Sequence, residues 1–144
     1  MSEADAWLLD LGSGLHAAVG LLELIHLIPD PPERFEIPLC PPYCSRVFLW
    51  QEEILPLMDL ETRLLHHPAQ AHPKLIAILG YGEEPQHGAL VLNTPPLRIR
   101  VRDEQACALP DELAYWQGFT LACFRHTRLG AVPILDLQGL FSSP

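Results

Sequence analysis

The sequence predicts an all-β fold with a few short helices, built as two small lobes of brief strands. Apolar runs are short and repeatedly interrupted by glycine and by 15 prolines, which is the pattern of many strands rather than of long helices. Several runs face one another across tight turns, as AWLLDL and LHAAVG do around Gly12-Ser13-Gly14. The block Pro-aliphatic-aliphatic-Asp-Leu occurs twice, at Pro56 and Pro133, with an offset of 77 residues, about half of the chain. Each copy follows a hairpin and precedes a leucine-rich turn, so the two blocks mark two related lobes.

In chain order, the opening hairpin is followed by LLELIHLI, where Val19, Leu22, Ile25 and Ile28 recur every third residue, the spacing of a short helix or an irregular turn. From Pro29 to Ser45 the chain is a proline-rich connection too interrupted for regular structure. RVFLW and ILPLM are strands joined through Gln51-Glu52-Glu53, and Asp59 opens DLETRLLHH, which Pro68 closes. KLIAILG, GALVLN and LRIRVR are further strands; PDELAYWQ is a turn of helix capped by Asp111; GFTLACFR and GAVPIL form a last hairpin before DLQGLF. The whole chain, 1–144, reads as one domain with its lobe boundary near 66–74.

A chain of 144 residues hides enough surface for a real core without a metal or disulfide staple. Its 49% hydrophobic and 19% charged content is that of a soluble globular protein, and no apolar run approaches the ~20 residues of a spanning helix. The N-terminus carries acidic residues where a secretory signal carries basic ones, so a cytoplasmic location is expected, with Cys40, Cys44, Cys107 and Cys123 as thiols. A formal charge of −9 repels phosphate backbones and anionic membranes, which argues against nucleic-acid binding and membrane insertion. Arg98, Arg100 and Arg102 alternate with apolar residues, the solvated face of a half-buried strand rather than an anion site.

Asp59 and Asp136 each sit where an N-cap belongs, accepting from the free amides of the following turn. A carboxylate pair of the aspartic-protease type, drawing on Asp10, Asp59 and Asp136, is the chemical alternative. Their loops lack the hydroxyl residue and glycine that such a site uses, since Leu11 follows Asp10. The histidines of HHPAQAH (His66, His67, His72) and the cysteines of CPPYC have poor metal-ligand spacing, because adjacent histidines diverge and prolines break the alignment. Ser13 lacks the Gly-x-Ser-x-Gly elbow, and no phosphate or dinucleotide loop is present, so neither catalytic residues nor a cofactor are expected. Trp7, Trp50 and Trp116 are either core residues or interface anchors; Trp50, beside the polar hairpin tip, suits both.

The stretch PPYCSRVFLWQEEILPLMDLETRL resembles the best-marked region of the CheW-like family, matching at Pro41, Val47, Phe48, Ile54, Leu55, Pro56, Leu57, Met58, Asp59 and Leu60. AWLLDLGSGLHAAVGLLELIHLIP, IPLCP, GALVLNTPP and GFTLACFRHTRLGAVPILDLQGLF resemble other parts of the family in order, so the likeness covers nearly the whole chain. The resemblance implies two SH3-like, five-stranded β-barrel lobes around a shared core. It implies a non-enzymatic adaptor that couples the cytoplasmic tips of chemoreceptors to the regulatory domain of a CheA-type histidine kinase. A ligand-sensing or competing module of a specialised array, serving pilus motility or a second-messenger output, is the alternative. The family's Asn-Leu-Arg-Gly is replaced by Leu49, Trp50, Gln51 and Glu52, so the guanidinium associated with receptor binding is missing at Gln51. The protein-interaction residues expected on this basis are Arg46, Phe48, Trp50, Gln51, Glu52 and Glu53.

Overall fold

The computed structural model describes residues 3–29, 33–44, 46–68, 73, 75–84 and 86–142. In chain order the elements are β1 (Glu3–Gly12), β2 (Leu15–Gly20), β3 (Leu24–Ile28), β4 (Phe35–Glu36), β5 (Arg46–Trp50), β6 (Glu53–Met58) and α1 (Leu60–Leu65). They continue as β7 (Leu75–Tyr81), β8 (Gln86–Leu92), β9 (Thr94–Arg102), β10 (Ala106–Cys107), β11 (Thr120–His126), β12 (Gly130–Leu135) and α2 (Leu137–Ser142). The strands form two six-stranded sheets, ordered β10-β11-β12-β2-β1-β9 and β4-β5-β6-β8-β7-β3. Each has five longer strands and one two-residue edge strand, β10 or β4, which is the sixth strand absent from the sequence expectation. Among the described residues no ladder joins the two edges of either sheet, so the lobes are open, SH3-like sheets.

The two orders are the same pattern used twice. In each, a two-residue edge strand leads to an antiparallel hairpin whose second strand carries the proline, β6 with Pro56 or β12 with Pro133. That strand then pairs in parallel with a strand of another hairpin, through Leu57–Ala89 and Met58–Leu90 in one lobe and Ile134–Ala18 in the other. A short helix follows each proline strand. The lobes do not divide the chain near 66–74: β1 and β2 pair with β9–β12, and β3–β8 form the other sheet, so the chain crosses between lobes after Gly20 and at Asn93. Parallel pairing needs a long connection, and in the first lobe the whole second lobe supplies it.

Three local expectations also change. LLELIHLI is a turn followed by β3, because pairing of Leu24, His26, Leu27 and Ile28 with β7 overrides its three-residue period. The proline-rich segment holds β4 and a 3-10 turn at Pro42–Cys44. Pro110, rather than Asp111, occupies the N-cap position of the 3-10 segment Asp111–Trp116, with no side-chain cap.

Strands at the centre of the molecule are buried on both faces. Ile76 and Ile78 of β7, with Ala89 and Val91 of β8, point into the second lobe and join Phe48, Leu55 and Leu57. The alternate residues Leu75, Ala77, Leu79, Leu90 and Leu92 meet Leu9, Leu11, Val19, Trp116 and Leu140 of the first lobe in a shared core. Leu8, Ala18, Phe124 and Val132 fill the first lobe. The continuous apolar runs LIAIL and ALVL follow from this double burial. At the far edge of the first sheet β9 exposes its arginines: Arg98 bonds Asp5 at 2.9 Å, and Arg100 and Arg102 reach Glu3 at 3.3 and 3.4 Å. The hydrogen bond from Arg98 holds the Asp5 carboxyl below its ordinary value.

Candidate functional site

The β5–β6 hairpin has the same two-faced apolar character as β7 and β8, but only one of its faces is covered. Register pairs Arg46–Leu57, Phe48–Leu55 and Trp50–Glu53 lie on the inward side, and Val47–Pro56 and Leu49–Ile54 on the outward side. Phe35 of β4 extends the outward row by pairing with Val47. Outward residues stay open: Leu49 is 60%, Ile54 70% and Phe35 54% exposed. Directly opposed side chains in such a ladder lie about 5 Å apart, so these residues form a continuous apolar face. Glu36, Glu52 and Glu53 are exposed around it.

Of the six predicted interaction residues, Arg46, Phe48, Trp50 and Glu53 lie on the inward side and Gln51 and Glu52 at the tip, so none lies on the outward apolar face. Phe48 is 1% exposed and belongs to the core of the second lobe, so it is not an interface residue; the alternation that exposes Leu49 buries Phe48. Trp50 faces inward as well, half-buried against that core and edge-on to His87 at 5.3 Å, while Glu53 bonds His87 at 3.0 Å. Arg46 is half-buried; burial first, then Arg34, pushes its guanidinium down, against the pull of the Asp59 and Glu36 carboxylates. Gln51 and Glu52 form the exposed tip. Both have left-handed backbones, at φ 48° and 68°, the geometry of a two-residue hairpin turn that favours Asn-Gly. Leu49, Ile54 and Phe35 were missed by the sequence reading, although apolar residues at both phases of RVFLW were the available signal.

Comparison with known proteins matches the sequence to the family model of the CheW-like domain over residues 7–144. The chain belongs to the CheW-like domain family. Among solved structures, this CheW-like domain is similar to the scaffolding protein TtCheW from Thermoanaerobacter tengcongensis, at 14% identity and a TM-score of 0.76 over 99% of this chain and 94% of that one. At that identity the likeness is one of fold. No curated protein matches the sequence.

The aspartates of this CheW-like domain each close a different turn. Asp59 is the N-cap of α1, 2% exposed, accepting from the Thr62 amide at 3.3 Å. Asp136 accepts from the Gly139 amide at 3.1 Å at the start of α2. Asp10 braces the crossing between lobes, accepting from the Gly12 amide, Asn93 Nδ2 and Thr94 Oγ1. Ser13, His67 and Glu61 do meet, but not in relay order. Ser13 Oγ donates to Glu61 Oε1 at 2.6 Å, and His67 Nδ1 faces that same oxygen at 2.9 Å and Ser13 at 3.5 Å. A triad places the imidazole between nucleophile and acid through its two nitrogens; here Glu61 is central and ties α1 to the β1–β2 turn. Among the described residues no three His, Cys, Asp or Glu side chains gather as a metal site, and His72 lies outside them. Between the lobes, buried side chains of both sheets pack against one another in the shared core.

Proposed function

We propose that this CheW-like domain is a non-enzymatic, cytoplasmic adaptor that joins the regulatory domain of a CheA-type histidine kinase to the cytoplasmic tips of chemoreceptors. The observation that supports this reading is the open apolar face of β4, β5 and β6, built from Phe35, Val47, Leu49, Ile54 and Pro56. On β7 and β8 the equivalent second face is covered by the other lobe. A folded chain leaves large apolar side chains together in water chiefly where a partner covers them, and each one fully buried contributes ~1.5–3 kcal/mol. Acidic residues at the rim favour a partner with basic groups around an apolar centre, and they make association faster at low salt. With Gln51-Glu52 at the tip in place of the family's Arg-Gly, partner preference shifts away from that of the usual receptor contact.

Calorimetry with the regulatory domain of a CheA-type kinase and the cytoplasmic tip of a chemoreceptor from the same organism tests the proposal. Leu49→Ser combined with Ile54→Ser is expected to weaken binding at least tenfold, about 1.4 kcal/mol, and to leave the urea midpoint nearly unchanged, since both side chains are exposed. A wild-type chain that binds neither partner would sink the adaptor reading. Binding that survives the double substitution would move the interface elsewhere.

A further inference from the structure

Cys107 and Cys123 stand directly opposite each other in the β10–β11 ladder, with their sulfurs 3.5 Å apart. Opposed residues of an antiparallel pair keep Cα atoms ~4.5 or ~5.5 Å apart, both within the ~4.4–6.8 Å that a disulfide spans. Closing the sulfurs to bonding distance therefore needs small adjustments at an edge strand of two residues, not a change of register. Cys107 is half-buried and reachable, whereas Cys123 is buried. Both are free thiols.

We propose that this cross-strand dithiol is a redox modification site, which a peroxide converts to a Cys107–Cys123 disulfide. The Cys107 sulfur attacks one peroxide oxygen, the O–O bond breaks, and the departing oxygen takes up the thiol proton, leaving a sulfenic acid on Cys107. The Cys123 sulfur then attacks the Cys107 sulfur, the S–O bond breaks, and the hydroxide leaves with the Cys123 proton as water. Two thiols lose two electrons and two protons, and the peroxide is reduced to water, or to water and an alcohol if it is an alkyl peroxide. Burial, reinforced by the adjoining Cys107, pushes the Cys123 thiol up to about 11. The half-buried Cys107 is therefore the sulfur that meets the peroxide, and the buried Cys123 beside it is the one that resolves the sulfenic acid.

The bond would close the loop between β10 and β11, and this loop bears on the surface of the first lobe. It carries the 3-10 segment Asp111–Trp116, whose Trp116 is rooted in the shared core. Leu113, Tyr115 and Trp116 also wall a cleft of about 540 Å³, against Gly14 and His16 on one side and Leu129 on the other. Oxidation fixes both ends of that wall, so a partner or ligand entering the cleft would meet a stiffer surface.

The test treats the native full-length chain with hydrogen peroxide, blocks remaining thiols and maps non-reduced peptides by mass spectrometry. The expected product links the Cys107 and Cys123 peptides, weighs two hydrogens less than the starting chain and reverts with dithiothreitol. It persists in the Cys40→Ser/Cys44→Ser variant and disappears in Cys107→Ser. The wild-type map stands without the variants if either fails to fold. Free thiols at both positions, Cys107 carried on to sulfinic acid, or pairing of either sulfur only with Cys40, Cys44 or another copy would overturn the proposal.

Discussion

Arg63 bridges the two lobes. Its guanidinium lies between the Tyr43 ring of the second lobe, at 4.6 Å, and the Phe119 ring of the first, at 4.3 Å. It also donates to the Leu140 carbonyl at 3.4 Å. Each cation–π contact contributes ~0.5–1 kcal/mol, so Arg63→Ala is expected to lower stability by about 1–2 kcal/mol in urea unfolding. Arg63→Lys is expected to lose about half of that, because an ammonium keeps the charge but not the planar face that stacks on both rings. In the sequence Arg63 is one charge in a short amphipathic turn. Nothing local reveals that rings 20 residues before it and 56 after it close around it.

At the level of elements, the two tight hairpins differ in turn chemistry. The β1–β2 turn puts Ser13 and Gly14 at positive φ, and Gly14 adopts that conformation without a side-chain clash. The β5–β6 turn places Gln51 and Glu52 there, at a cost of ~1–2 kcal/mol for each L-residue in the left-handed region. Glu52→Gly relieves that strain but gives the unfolded chain ~0.5–1 kcal/mol more entropy to lose. The expected net gain is about 0.5–1 kcal/mol, read as a raised thermal midpoint; a lowered one would mean that the Glu52 side chain holds the tip. The strained tip sits beside the open apolar face, where rigid presentation suits an interface.

At the scale of the whole molecule, α2 follows the last strand of the first lobe and lays Phe141 across the second. Phe141 stacks on Tyr81 of β7 with ring centroids 5.7 Å apart and planes 14° apart. The fit requires Gly88 of β8, where an added Cβ would come within 2.6 Å of the Phe141 ring. Gly88→Ala is expected to cost about 1–2 kcal/mol through this overpacking, measured by chemical denaturation. Combining it with Phe141→Leu should cost less than the sum of the two changes, because the smaller side chain makes room. Additive losses would show that the two positions do not press on each other.

The sequence by itself determined the all-β class, nine of the twelve strands (all but β3, β4 and β10), the hairpin turns and the capping aspartates Asp59 and Asp136. These depend on periodicity, on proline and glycine, and on hydrogen bonds that reach no more than a few residues along the chain. It also carried the trace of two equivalent lobes in the repeated Pro-x-x-Asp-Leu block. Which strands share a sheet was decided only in three dimensions, because the parallel contacts of β12 with β2 and of β6 with β8 join segments far apart in sequence. The same holds for the open apolar face of β5 and β6. Val47 to Trp50 and Leu75 to Leu79 are both unbroken apolar runs, and only the packing of one lobe on the other determines that Ile76 to Leu79 are covered on both sides while Leu49 and Ile54 remain open to water.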